Sequence, residues 1–262
     1  MDTRPIGVFD SGMGGLTVVK ELMRMLPDEC IIYFGDTGRV PYGNRGKDTI
    51  ISYVRQDISF LKSFDIKAIV VACGTASSVA LPAVSKDYDI PVIGVVEPTA
   101  NYAKTVTKNG KIGILGTAAT IGSGVYQTLL SEYEIHTMAC PLFVPLVENG
   151  YAQSEAARLI AQDYLEPLKK NGVDTIILGC THYPLLAPVI KSIMGDEVTL
   201  INSGIPTAAY IKGMLEKSGR LSDGPVQHRY YVSDMTEEFT ALAGTFLETR
   251  NPDIKKIDIN KY

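Results

Sequence analysis

Short, nearly continuous apolar runs alternate along the chain with longer stretches in which apolar residues recur at helical spacing. The runs at 6–9, 30–34, 68–73, 91–96, 112–115, 175–178 and 198–201 read as strands. They show no inside–outside alternation, which predicts parallel strands covered on both faces. The stretches at 16–26, 48–64, 76–87, 120–133, 154–170 and 185–194 read as helices. Such alternation predicts α/β layers with the functional loops at the carboxyl ends of the strands.

The pattern partly repeats. Ile6-Gly7-Val8-Phe9-Asp10-Ser11 matches Ile112-Gly113-Ile114-Leu115-Gly116-Thr117, an offset of 106 (6 to 112). Val92-Ile93-Gly94-Val95-Val96 matches Val198-Thr199-Leu200-Ile201-Asn202 at the same offset (92 to 198). Between them, Val70-Val71-Ala72-Cys73 matches Ile177-Leu178-Gly179-Cys180 at 107 (73 to 180). Three matches in one order predict two similar α/β domains with mainly parallel sheets. A pseudo-two-fold packing of these halves would bring their strand ends into one interdomain cleft, with Cys73 and Cys180 on opposite walls.

Composition narrows the function without naming it. The 262 residues are 45% hydrophobic and 21% charged, the make-up of an ordinary globular protein. A net charge of −4, from 25 basic and 29 acidic residues, gives no basic footprint for nucleic acid or an anionic membrane. No apolar stretch approaches the ~20 residues of a membrane helix, and no secretory leader is evident at the start. Four cysteines at 30, 73, 140 and 180 make neither a disulfide scaffold nor a zinc site, which points to a reduced, cytoplasmic setting. Cys30 and Cys140 lie in apolar runs and read as core residues, while His136 and His228 carry no motif. The Gly12-Met13-Gly14-Gly15 loop lacks both dinucleotide-binding and P-loop spacing.

Cys73 and Cys180 are where chemistry concentrates. Each ends an apolar strand and is followed closely by a threonine, Thr75 or Thr181. A cysteine at a strand-to-helix turn meets the positive end of the helix dipole, which favours thiolate. Thr75 is placed to cap the helix and to offer a donor to an anion. The plain alternative for either cysteine is a small buried hydrophobe. His182, two residues beyond Cys180, can hold the protonation state of that thiol or carry its proton; its alternative is a structural histidine. Asp10 and Asp36 end strands and can act in the site or simply cap the next turn. Glu148 ends the apolar run 142–147 and, by itself, reads equally as solvent-facing.

Several segments taken together resemble the bacterial glutamate racemases: residues 6–12, Gly35-Asp36-Thr37 with Pro41, Tyr42 and Gly43, the two cysteine segments, and Pro145-Leu146-Val147-Glu148. The resemblance runs in order from residue 6 to about residue 206, and Cys180-Thr181-His182-Tyr183-Pro184 is its most specific part. It implies interconversion of L- and D-glutamate without pyridoxal phosphate or metal, supplying peptidoglycan synthesis. It also implies a homodimer, and two α/β domains at 1–97 plus 207–262 and at 98–206. By motif, Cys73 and Cys180 correspond to the two bases and Asp10, His182 and Glu148 to their assistants. Ser11, Pro41, Tyr42, Gly43, Gly74, Thr75, Thr117, Thr120 and Thr181 correspond to substrate contacts.

One departure bears on the substrate. The family usually has asparagine where this chain has Gly74, so a side-chain amide is missing. A hydrogen bond to a charged group is worth ~1.5–3 kcal/mol. An aspartate or broad-specificity racemase, or a weakly active or engineered variant, is therefore a second expectation, and an amino-acid-binding regulatory protein a third. Thr99, where the family often has glycine, is a milder change.

Overall fold

The computed structural model describes residues 1–235, 243, 244, 247 and 253–262. They form two compact units, Met1–Val95 with Gly204–Tyr262, and Val96–Ser203. The first unit opens with β1 (Ile6–Asp10), α1 (Leu16–Met25), β2 (Ile31–Gly35), α2 (Lys47–Lys62), β3 (Ala68–Val71), α3 (Gly74–Val79), α4 (Leu81–Val84) and β4 (Val92–Gly94). The second holds α5 (Val96–Val106), β5 (Lys111–Gly116), α6 (Ala118–Gly122), α7 (Val125–Leu129), β6 (Glu134–Ala139) and α8 (Phe143–Glu148). It continues with α9 (Glu155–Lys170), β7 (Thr175–Leu178), α10 (Ala187–Met194) and β8 (Thr199–Asn202). The chain then returns to the first unit with α11 (Gly204–Lys217), β9 (Arg229–Val232) and β10 (Ile254–Lys256).

Among the described residues, the first unit carries the sheet β10-β9-β2-β1-β3-β4 and the second β6-β5-β7-β8, with all pairings parallel. The order β2-β1-β3-β4 thus recurs as β6-β5-β7-β8, which is the structural form of the sequence repeat. Ile6 faces Ala68 in one sheet as Ile112 faces Thr175 in the other. The last match slips: Ile69 faces Val92 but Ile176 faces Leu200, so β4 and β8 correspond two residues later than the aligned sequence suggests. β3 and β7 are buried along their whole length, as unalternating strands under helices on both faces must be. In the first unit, Phe60 of α2 meets the rings of Phe34, Phe64, Tyr231 and Tyr262 at 4.8–5.4 Å, fastening the returning carboxyl-terminal segment to the sheet.

Three expected helices are broken by local chemistry. The 76–87 stretch divides at Ala80, where Pro82 opens a new turn that it cannot hydrogen-bond into the old one. The 120–133 stretch divides at Gly124, whose φ of +70° is left-handed. The 185–194 helix begins later, at Ala187, after a 3₁₀ turn over Tyr183–Leu186. The expected strand at 91–96 stops at Gly94, and Val96 instead begins α5. β6 was not legible because it is a half-buried edge strand with mixed polar and apolar residues. No helix among the described residues is long and apolar enough to cross a membrane.

Candidate active site

In an open parallel sheet, binding residues gather at the carboxyl ends of the strands where the strand order reverses. That reversal falls between β1 and β3 in the first unit and between β5 and β7 in the second. Asp10 ends β1 and Cys73 lies two residues beyond β3. Thr117 directly follows β5 and Cys180 lies two residues beyond β7.

In the first unit the structure brings Asp10, Ser11 and Cys73 together. The Cys73 thiol donates to Ser11 Oγ at 3.5 Å and its sulfur accepts from the Ala76 amide at 3.4 Å. Cys73 is therefore the cap of α3, whereas Thr75, expected in that role, is buried in the first turn. The sulfur wins because it sits at the position just before the first helical residue, where a side chain can turn back to the exposed amides. Gly74, also buried, opens the helix. The buried Asp10 carboxylate accepts from the Gly12 amide at 3.1 Å and so holds the turn that carries Ser11. Tyr33 donates to Gly12 O at 2.7 Å. Burial, with the charges of Asp10 and Cys73 nearby, raises its phenol well above the usual range, so it stays a neutral donor. Of the turn at 41–43, Pro41 is exposed and Gly43 half-buried. Tyr42 is buried with its hydroxyl on Asp36 and Asp57.

In the second unit the structure brings Cys180, His182 and Glu148 together in a row. His182 Nδ1 lies 3.8 Å from Cys180 Sγ and Nε2 lies 3.1 Å from Glu148 Oε1. Burial opposes a charge on the imidazole, but the hydrogen bonds to Cys180 and Glu148 outweigh it and raise His182 to about 10. The ring is thus an imidazolium at neutral pH. Glu148 ends α8 and is partly exposed, so the solvent-facing reading of this acid is half right: one carboxylate oxygen is committed to His182. Thr117 caps α6 by accepting from the Thr120 amide at 3.2 Å and donates to Thr120 Oγ1 at 3.0 Å. Thr181 is buried beside Cys180. Gly179 is needed just before the cysteine, because a Cβ there would stand 2.6 Å from the Leu115 carbonyl oxygen.

The other cysteines divide. Cys140 is core, as expected; burial, with Cys180 nearby, pushes its thiol well up and keeps it neutral. Cys30 is only half-buried, a correction to its core reading: its sulfur bridges Pro225 O at 3.2 Å and the Gln227 amide at 3.3 Å. The returning segment near residue 226, not the apolar run, decides its surroundings. Sequence reasoning missed Arg39 and Asp57, which join Asp36 and Tyr42 in one buried group. A signal existed: Asp57 falls on the same helical stripe as Ile50, Val54, Ile58 and Leu61, all buried.

The family model described as Asp/Glu/hydantoin racemase matches residues 17–210. A glutamate racemase of Geobacter metallireducens is 45% identical over 265 residues, covering 99% of this chain and 98% of that protein. The crystal structure of glutamate racemase isoform RacE1 from Bacillus anthracis superposes with a TM-score of 0.94 at 41% identity, covering 98% of each chain. That of Francisella tularensis glutamate racemase in complex with D-glutamate gives 0.93 at 34% identity over the full length of both. Doubled parallel sheets with a thiol at each switch point, together with these likenesses, define an amino-acid racemase. The chain belongs to the Asp/Glu/hydantoin racemase family.

Proposed function

We propose that the protein interconverts L- and D-glutamate, with Cys73 and Cys180 as the two bases. The observation that carries this reading is the repetition: each unit sets one cysteine two residues beyond the corresponding strand of the same four-strand order. Glutamate as substrate is supported by the relatives named above.

Inversion at Cα without an electron sink needs a base for one face and an acid for the other. Thiols suit both tasks because their pKa lies near neutrality. One thiolate takes the α-proton while the other thiol gives its proton to the opposite face; the reverse reaction exchanges the roles. The reading uses the two sulfurs alone, without pyridoxal phosphate or metal. Ser11 and Asp10 attend Cys73, and the His182 imidazolium, held by Glu148, shares its proton with Cys180. Hydroxyls of Ser11, Thr75, Thr117, Thr120 and Thr181, with backbone amides at Gly74, Tyr42 and Gly43, receive the substrate's polar groups and the charge that develops on its carboxylate, while Pro41 offers its carbonyl as an acceptor. The D-glutamate formed is assigned to peptidoglycan synthesis, and the enzyme to a homodimer, on the strength of the same resemblance; the cytoplasmic setting is assigned from the cysteine usage.

Circular dichroism tests this directly. In deuterated water, either enantiomer of glutamate is expected to lose its signal and to gain deuterium at Cα; retention of optical activity by both would sink the proposal. Gly74 supports a second reading, a broader or aspartate-directed specificity. A panel of L- and D-amino acids separates the two, and Gly74→Asn is expected to raise glutamate turnover only if glutamate is the natural substrate.

His182→Ala is expected to lower kcat by on the order of 10²-fold. In the wild type the imidazolium is present below about pH 10 and is lost as pH rises through that value. Glu148→Gln removes one of the groups that hold the charge, so the alkaline limb of the pH–rate profile should move to lower pH. An unmoved limb would separate Glu148 from the reaction.

A further inference from the structure

The residues between β2 and α2 lie over the chemistry of the first unit. The Asp36 amide donates to Asp10 O at 2.9 Å, the 42–44 turn packs on α3, and Tyr42 shares an apolar cluster with Cys73. On its far side the same segment is tied to the returning chain, Gly38 N donating to Ser233 Oγ at 2.8 Å and Thr37 Oγ1 to Asp234 O. On its inner side Asp36, Arg39 and Tyr42 of the segment meet Gln56 and Asp57 of α2. Arg39 Nε donates to Asp36 Oδ2 at 2.6 Å, Nη2 to Asp57 Oδ1 at 3.0 Å and Nη1 to Gln56 Oε1 at 2.5 Å. Tyr42 Oη lies at hydrogen-bond distance from Asp36 Oδ2 and 2.9 Å from Asp57 Oδ2. Both carboxyl groups are fully buried.

A count of protons decides the state of this group. A phenol carries one proton and can donate to one oxygen. Two contacts from Tyr42 Oη to two carboxyl oxygens therefore require a second proton, brought by one of the acids. Placed on Asp36 Oδ1, that proton would face no acceptor among the described residues, and placed on Asp36 Oδ2 it would sit on the oxygen that already receives Arg39 Nε at 2.6 Å. Placed on Asp57 Oδ2, it donates to Tyr42 Oη, which in turn donates to Asp36 Oδ2, which is already paired with Arg39. This leaves one negative charge opposite one guanidinium, the arrangement that burial tolerates. Burial first, then the Asp36 charge, also raises the Asp57 carboxyl well above the usual range.

We propose that Asp57, as a neutral acid, is a positioning residue that holds the 36–44 segment against Asp10, Ser11 and Cys73 through Tyr42 and Arg39. The proposal deepens the glutamate racemase reading and rests on it for its kinetic consequence. Asparagine is the isostere of a protonated aspartate: its N–H₂ can donate to Tyr42 and its oxygen can accept from Arg39. Alanine can do neither.

The test compares wild type, Asp57→Asn and Asp57→Ala with glutamate as substrate. Asp57→Asn is expected to keep kcat and KM within about threefold of wild type. Asp57→Ala is expected to raise KM roughly ten- to a hundredfold, with kcat less affected, as displaced binding groups do. Hydrogen exchange of the amides at 36–44 should quicken in the alanine variant and not in the asparagine variant. The infrared difference between wild type and Asp57→Asn should contain the carbonyl band of a buried protonated carboxyl at neutral pH. Asparagine behaving like alanine, unchanged KM and exchange in the alanine variant, or absence of the band would each overturn the proposal. Wild-type protein inactive on glutamate would instead overturn the proposed function, and the exchange and infrared results would still decide the role of Asp57.

Discussion

Alanine at position 73 or at position 180 is expected to lower racemisation of glutamate by on the order of 10⁴-fold or more, from either enantiomer. In the proposed mechanism each sulfur serves one face of Cα, so neither can stand in for the other. The loss should not be additive: the double variant is expected to be about as inactive as each single one, because the two thiols act as one unit. What survives in the single variants is informative. A lone base can still exchange the α-proton of one enantiomer with deuterated solvent without inverting it. It can also remove that proton from a β-chloro amino acid, from which chloride then leaves. Mass spectrometry of the recovered substrate reads the first outcome and chloride release the second. Racemisation at wild-type rate by either single variant would refute the two-thiol reading.

The second large effect is on stability. Lys67, in the residue before β3, is fully buried, with Nζ 2.5 Å from Glu29 Oε2, 2.7 Å from Asp2 O and 2.9 Å from Arg220 O. Arg220 returns the contact by donating to Lys67 O at 3.1 Å and to Asp2 Oδ2 at 3.1 Å. These bonds clamp the start of the chain and the segment after α11 to the amino-terminal edge of the first unit's sheet. Lys67→Met leaves Glu29 as a buried charge without its partner, a loss of about 3–5 kcal/mol, and Tm should fall by on the order of 10 °C. Adding Glu29→Leu should recover part of this, since an apolar pair can replace a buried ion pair. Recovery stays incomplete because the Asp2 and Arg220 carbonyls still lack their donor. Thermal and urea melts of wild type and the two variants check the order. A single variant melting within about 2 °C of wild type would show that the clamp contributes little.

Much of the fold was legible because parallel strands buried on both faces leave a strong mark. The runs at 68–73 and 175–178 had to be central strands, and they are β3 and β7. Two similar halves could be read from three matched strand ends because the same strand order imposes the same burial on the same positions. What escaped was weakly marked: β6 is a half-buried edge, and β9 and β10 join the sheet through residues far along the chain. Helix breaks at Pro82 and Gly124 were written in the sequence but were overrun by the surrounding helical period. The site divides in the same way. Cys73 and Cys180 showed themselves by closing apolar strands, whereas Glu148 was identified through family resemblance alone and its bond to His182 spans 34 positions.

By itself, then, the sequence determined the layered parallel architecture, its doubling and the residue types at the strand ends, because these follow from periodicity and burial within a few neighbouring residues. Tertiary structure decided which polar side chains meet. It set the imidazolium of His182 between a sulfur and a carboxylate, turned the Tyr42 hydroxyl inward, and placed Asp57 among buried charges. The physical reason is that a side chain's protonation and hydrogen bonding depend on its spatial neighbours, and those neighbours come from elements that the chain connects only at long range.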